Sequence, residues 1–316
     1  MNITISYLRN LAIAAIVLHH SMLAFGGWPP NHGIEADVPL GAWYVSDLLK
    51  NFGLGVFTFI SGFVLFYQSK KTETFGHFLL KKVKRILMPC LFWACIYGLF
   101  FSTYMYISCP SAINGTHLWY LPMLFLCIVV TSSHFYSKYP YAVVAFCYLL
   151  FLLLSKFTHF RTFTEYYIYF PVFYAGFLFH RMNLDEVLRK NKRKCLMVLS
   201  GGAILWLLKA IEFYKYTWTI NMLVISLISY VGVLFLISRV NKINKVDLSL
   251  TKQSFSIYLL HQFVINLMLG YVGFEHSNFY FTLCILFCTS FFLPWLLSEC
   301  CDLVKRKIYL WKSFIL

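Results

Sequence analysis

Leu8-Arg9-Asn10-Leu11-Ala12-Ile13-Ala14-Ala15-Ile16-Val17-Leu18-His19-His20 is the stretch that decides how this chain folds. It is the heart of a membrane-length apolar run, with one Arg near its start and a His pair near its end. Arg9 and His20 are 11 residues apart. At about 100° per residue this is three helical turns plus about 20°, so both side chains fall on one helix face. A rise of about 1.5 Å per residue separates them by about 16 Å along the axis. An Arg at the centre of a membrane helix costs about 2.5 to 3.5 kcal/mol, and such residues usually face a bundle interior or a wet cavity. Two readings follow. Either the pair lines an internal path, or Arg9 snorkels to the inner headgroups while the histidines sit at the outer rim.

The rest of the chain has the same character. Of 316 residues, 60% are hydrophobic and 12% charged, with 33 Phe and 22 Tyr, and the mean hydropathy is +0.69. This composition excludes a soluble domain and implies an all-α polytopic membrane bundle. Ten segments approach the length a span needs: 5–25, 47–67, 86–107, 117–134, 140–156, 165–181, 195–213, 217–238, 255–273 and 279–302. The formal net charge of +15 comes from short clusters between these segments. With the N-terminus inside, 21 Lys and Arg fall in inner connections and the tail, and 3 (Lys156, Arg161, Lys215) in outer ones. That bias predicts an N-in, C-in protein with the positive charge set by topology rather than by nucleic acid. It puts His20 toward the outer leaflet and Arg9 toward the cytoplasm. The first run is no cleavable signal peptide, because His19-His20 interrupts it and no small-x-small site follows. The ten Cys show no CxxC and no metal-ligand spacing, so they read as small apolar fillers and no metal is expected. The outer loop 26–46, with Trp28-Pro29-Pro30 and Trp43-Tyr44, carries no Lys or Arg. An interfacial aromatic belt accounts for it; a lid or acceptor platform is the other reading.

Four further stretches carry polar or special residues. Gly53-Leu54-Gly55 and Ser61-Gly62 place small residues in span two, where they permit close helix packing. Lys81-Lys82-Val83-Lys84-Arg85 sets four cations at the cytoplasmic end of span three. They satisfy the positive-inside rule, hold anionic headgroups, or clamp the phosphates of a soluble ligand. Span four opens on Thr116-His117-Leu118-Trp119-Tyr120-Leu121-Pro122. In span nine, Tyr258 and His261 stand at i, i+3 on one face.

These blocks, in this order, resemble the acyltransferase-3 superfamily of integral membrane acyltransferases. The resemblance rests on Leu8-Arg9-x10-His20, Phe57-x-x-Ile60-Ser61-Gly62-Phe63, the Lys81–Pro89 block, His117-Leu118-Trp119-Tyr120-Leu121-Pro122, and Ser254-Phe255-Ser256-Ile257-Tyr258-Leu259-Leu260-His261. It covers about residues 5–300 and is closest to the single-domain branch that O-acetylates surface glycans, so residues 1–316 are expected to form one transmembrane domain. It implies transfer of an acyl group, usually acetyl from acetyl-CoA as co-substrate, to a hydroxyl of a glycan or lipid-linked glycan at the bacterial inner (cytoplasmic) membrane. The family's essential Arg and His match Arg9 and His20. Its cytoplasmic Arg-x-x-Arg matches Lys82-x-x-Arg85, where Lys lacks the bidentate guanidinium fork. Ser6 and Tyr7 stand where the family has an acidic residue.

The residues then permit a mechanism. Arg9, Lys82, Lys84 and Arg85 serve acyl-CoA, the basic block holding its phosphates while the pantetheine arm passes Arg9. His20 acts as general base on the acceptor hydroxyl, or as the nucleophile of an acyl-His intermediate. Ser61, His117, Trp119, Tyr120, Tyr258 and His261 are the candidate pocket residues, and Ser61, Tyr258 and Trp119 the candidate oxyanion stabilisers. The rival readings are a transporter or flippase for a lipid-linked glycan, which also uses intramembrane Arg and His, and a non-enzymatic receptor or assembly subunit.

Overall fold

A computed structural model describes residues 3–27, 34, 37–39, 41–68, 74–101, 109–158, 160–179, 190–191, 193–194, 197, 200–201, 244–272, 274 and 278–315. The described residues are helical, with no strand among them. Eleven α-helices are labelled here. They are α1 (Ile3–Leu23), α2 (Ala42–Gln68), α3 (Phe75–Lys82), α4 (Met88–Phe101), α5 (Cys109–Gly115), α6 (Tyr120–Thr131), α7 (Ser133–Tyr136), α8 (Pro140–Phe157), α9 (Arg161–Leu178), α10 (Lys245–Tyr271) and α11 (Phe279–Ile315).

Six helical stretches among the described residues are long and apolar enough to cross a membrane: Ile5–Gly26, Ala42–Tyr67, Phe75–Phe101, His117–Tyr136, Pro140–Phe157 and Phe279–Lys305. These coincide with six of the ten expected spans. Two more expected spans, 165–181 and 255–273, fall largely on α9 and α10, which are helical but more polar. α9 carries Arg161, Glu165 and a run of tyrosines, and α10 carries Gln253, Ser254, Ser256, His261, Gln262 and Asn266. Segments 195–213 and 217–238 lie almost wholly outside the described residues, as do His32 and Glu35 of the 26–46 loop.

The chain divides into two compact units, residues 1–53 with 239–316, and residues 54–238. In the first, α1, α10 and α11 pack on one another. α1 is buried around most of its circumference, and its outward stripe runs through Leu11, Ala14 and Leu18. Arg9 and His20, both half-buried, stand on the side roughly opposite that stripe. Gly53 lets α2 approach α1 closely: a Cβ there would lie 2.9 Å from the Ala12 carbonyl oxygen and 2.7 Å from Ile16 Cγ1. Asn10 ties α1 to α10, its Nδ2 donating to the Asp247 carbonyl (2.9 Å) and its Oδ1 accepting from the Thr251 hydroxyl (2.9 Å).

α10 and α11 are joined by a polar ladder. Trp295 Nε1 donates to Ser249 Oγ (2.8 Å) and Ser249 Oγ to Glu299 Oε1 (2.7 Å). Ser298 Oγ donates to Gln253 Oε1 (2.6 Å) and Lys252 pairs with Asp302. With little hydrophobic drive between helices in lipid, such contacts specify the pairing.

In the second unit, Gly62 of α2 and Gly176 of α9 meet. A Cβ on Gly62 would fall on the Phe173 carbonyl oxygen, and one on Gly176 on the Phe59 carbonyl oxygen. The close packing expected of span two is thus realised at both Gly53 and Gly62. The basic block lies inside one helical run, where a π turn, Val83–Leu87, links α3 to α4. Met88 N–H donates to the Val83 carbonyl, five residues back. The widened turn immediately precedes Pro89, which has no N–H to continue an α pattern.

Candidate functional site

The sequence-predicted residues fall into two groups, one in each unit. Arg9, His20, Tyr258 and His261 belong to the first, and Ser61, Lys82, Lys84, Arg85, His117, Trp119 and Tyr120 to the second.

In the first unit three imidazoles meet. His19 and His20 ring centroids are 5.0 Å apart, and those of His20 and His261 are also 5.0 Å apart. His19 turns toward α2, where its Nδ1 lies 3.0 Å from the Ser46 carbonyl oxygen and 2.9 Å from Ser46 Oγ. His20 Nδ1 lies 3.0 Å from the Ile16 carbonyl oxygen and 3.1 Å from His261 Nε2. His261 is fully buried, and its Nδ1 sits against two carbonyl oxygens, Ile257 (3.1 Å) and Tyr258 (2.8 Å). The Tyr258 ring lies 5.9 Å from that of His261 and is also buried. The i, i+3 pair of span nine is therefore attached to the histidine of span one, a link of 241 residues in sequence.

In the second unit the His117–Pro122 block is held by a local cap. Thr116 Oγ1 accepts from Leu118 N–H (3.1 Å) and caps the 3-10 turn His117–Trp119 that leads into α6. His117, Trp119 and Tyr120 are all buried. The His117 ring lies 6.1 Å from that of Tyr97, and the hydroxyls of Tyr120 and Thr58 are 3.1 Å apart. The Arg161 guanidinium lies 4.7 Å above the Trp119 ring, and its Nε is 3.4 Å from Glu165. Nothing in the span-four motif announced that Arg161 would cover Trp119. Ser61 Oγ donates to the Phe57 carbonyl (2.8 Å) in its own helix, which commits its hydrogen locally.

Lys81, Lys84 and Arg85 are exposed, while Lys82 is half-buried with its ammonium 5.2 Å from the Phe78 ring centroid. Lys84 and Arg85 both sit in the π turn. Adjacent accessible cations on a widened turn suit a polyanion better than a single carboxylate.

A family model described as an acyltransferase domain, of the acyltransferase-3 type, matches residues 2–299. No curated protein and no solved structure matches the chain.

Proposed function

The chain belongs to the acyltransferase-3 family, and on that footing we propose that it moves an acetyl group from acetyl-CoA to a hydroxyl of a cell-surface glycan or its lipid-linked precursor, at the bacterial inner membrane. Membership makes it an acyl-transfer enzyme, and its apolar helices make it a multi-pass membrane protein. The observation that carries the reading is the Arg9-x10-His20 element, placed opposite the outward stripe of α1, in a chain the family matches almost end to end.

The basic residues Lys82, Lys84 and Arg85 hold the anionic end of acyl-CoA on the cytoplasmic side, and Arg9 of α1 is the other residue assigned to that ligand. The bilayer keeps those phosphates on the inner side, because charge does not enter hydrocarbon. His20 takes the proton of the acceptor hydroxyl as its oxygen attacks the thioester carbonyl. The departing CoA sulfur receives that proton, so hydroxyl and thioester become ester and thiol. N-in, C-in topology presents the acceptor from the outer side.

Membranes bearing the chain, incubated with radiolabelled acetyl-CoA and a crude glycan fraction, are expected to place label on glycan. A transporter or a receptor leaves the label on the donor, and that result refutes the reading.

Replacing Lys82, Lys84 and Arg85 together by Gln is expected to raise KM for acetyl-CoA about tenfold, equivalent to about 1.4 kcal/mol. KM for the acceptor should hold within about twofold. Steady-state kinetics on solubilised protein separates the two, and equal increases count against phosphate binding.

A further inference from the structure

His261 faces His20 through a hydrogen bond whose direction can be worked out from its neighbours. Hydrogen placement on imidazole is inferred from what surrounds each nitrogen. His261 Nδ1 lies 3.1 Å and 2.8 Å from two backbone carbonyl oxygens. Carbonyls only accept, so His261 Nδ1 carries the hydrogen. A neutral ring then leaves Nε2 as an acceptor, and that atom lies 3.1 Å from His20 Nδ1. His20 Nδ1 also lies 3.0 Å from the Ile16 carbonyl oxygen. Both of these neighbours of His20 Nδ1 accept, so His20 Nδ1 carries a hydrogen too. In the neutral ring the lone pair of His20 then sits on Nε2.

The sites for these hydrogens come from two separate helices. Ile16 lies one turn before His20 on α1, and His261 comes from α10. The neutral form of His261 is the form that accepts. Its backbone carbonyls fix the ring from behind, much as an outer partner fixes the tautomer of a working histidine.

We propose that His261 is a positioning residue for His20, accepting the Nδ1 hydrogen so that Nε2 is held as the proton-accepting atom. This rests on the reading of His20 as the base. When Nε2 takes the hydroxyl proton, the imidazolium keeps its Nδ1–H directed at His261 Nε2, which stabilises the positive charge. The proton then passes from Nε2 to the CoA thiolate as the ester forms, and both histidines return to their starting state. The shared hydrogen between them is never transferred. His19 Nδ1 is turned to Ser46 instead.

The test compares two variants of the full-length protein in detergent or nanodiscs. The amide oxygen introduced by His261→Gln falls near the position of the imidazole Nε2, so that variant keeps an acceptor. His261→Leu fills the space without one. His261→Leu is expected to lower kcat by about 10²-fold or more, toward the roughly 10⁴-fold seen when the orienting carboxylate of a hydrolase triad loses its acceptor. KM for acetyl-CoA should be unchanged, and His261→Gln should retain kcat within about tenfold. A Gln variant that is as slow as Leu while equally well folded overturns the proposal.

A second measurement needs no activity. ¹⁵N-histidine NMR of the parent protein is expected to show a hydrogen on His20 Nδ1, with coupling across the hydrogen bond to His261 Nε2 that disappears in His261→Leu. A hydrogen residing on His261 Nε2 instead overturns the assigned direction. If the parent transfers no label at all, the functional reading fails, while the NMR result still decides the hydrogen bond on its own.

Discussion

Replacing His20 with Ala is expected to abolish measurable acyl transfer while the protein still inserts and accumulates. General-base action is typically worth about 10²–10⁴-fold, so the residual rate falls below most label-transfer assays. The imidazole is half-buried and its contacts include Ile16, His19 and His261, so its removal leaves the apolar packing of α1 largely intact. His19→Ala should behave differently. His19 is buried against Ser46 of α2, and its loss removes a buried hydrogen bond worth about 0.5–1.5 kcal/mol. That variant should melt earlier and keep part of its activity. Label transfer and thermal unfolding, measured side by side on purified protein, distinguish the two. Undiminished transfer by His20→Ala overturns the assignment of the base.

The distinction between His19 and His20 was available from spacing, since only His20 lies 11 residues from Arg9. Helical periodicity placed Arg9 and His20 on one side, and the burial of α1 puts that side away from its outward stripe. What spacing could not supply was the partner. Tyr258 and His261 declared their common face through i, i+3 spacing, yet nothing in the order of residues brought that face to His20, because non-local helix packing has no sequence period. The polar ladder between α10 and α11 was partly legible. Ser249, Gln253 and Ser256 recur at helical spacing, as do Trp295, Ser298, Glu299 and Asp302. A stripe of that kind in a membrane helix signals a helix partner. The same polarity leaves α10 outside the six helical stretches long and apolar enough to cross a membrane, although 255–273 is among the ten expected spans. The π turn at Val83–Leu87 was foreshadowed only by Pro89, and the covering of Trp119 by Arg161 had no signal in the chain.

Gly62→Ala is expected to cost about 3 kcal/mol or more, the upper part of the range for overpacking. The reason is the identity of the obstacle. The new methyl would meet the Phe173 carbonyl oxygen, which belongs to the α9 backbone and cannot swing aside as a side chain would. To make room, α2 and α9 must separate along their contact, and the reciprocal seat of Gly176 on Phe59 opens with them. Gly176→Ala should therefore be comparably destabilising. The double variant should fall well short of the sum, because both substitutions break the same approach. Gly76 supplies the control: it lies in α3, and a Cβ there meets nothing within 4 Å. Gly76→Ala should be neutral or stabilising by about 0.5–1 kcal/mol, since Ala is the better helix former. In detergent the Gly62 and Gly176 variants should melt at least about 6 °C below the parent, if about 3 kcal/mol translates as it does in soluble domains of similar size. A Gly62→Ala protein melting with the parent would mean that α2 and α9 do not meet backbone to backbone.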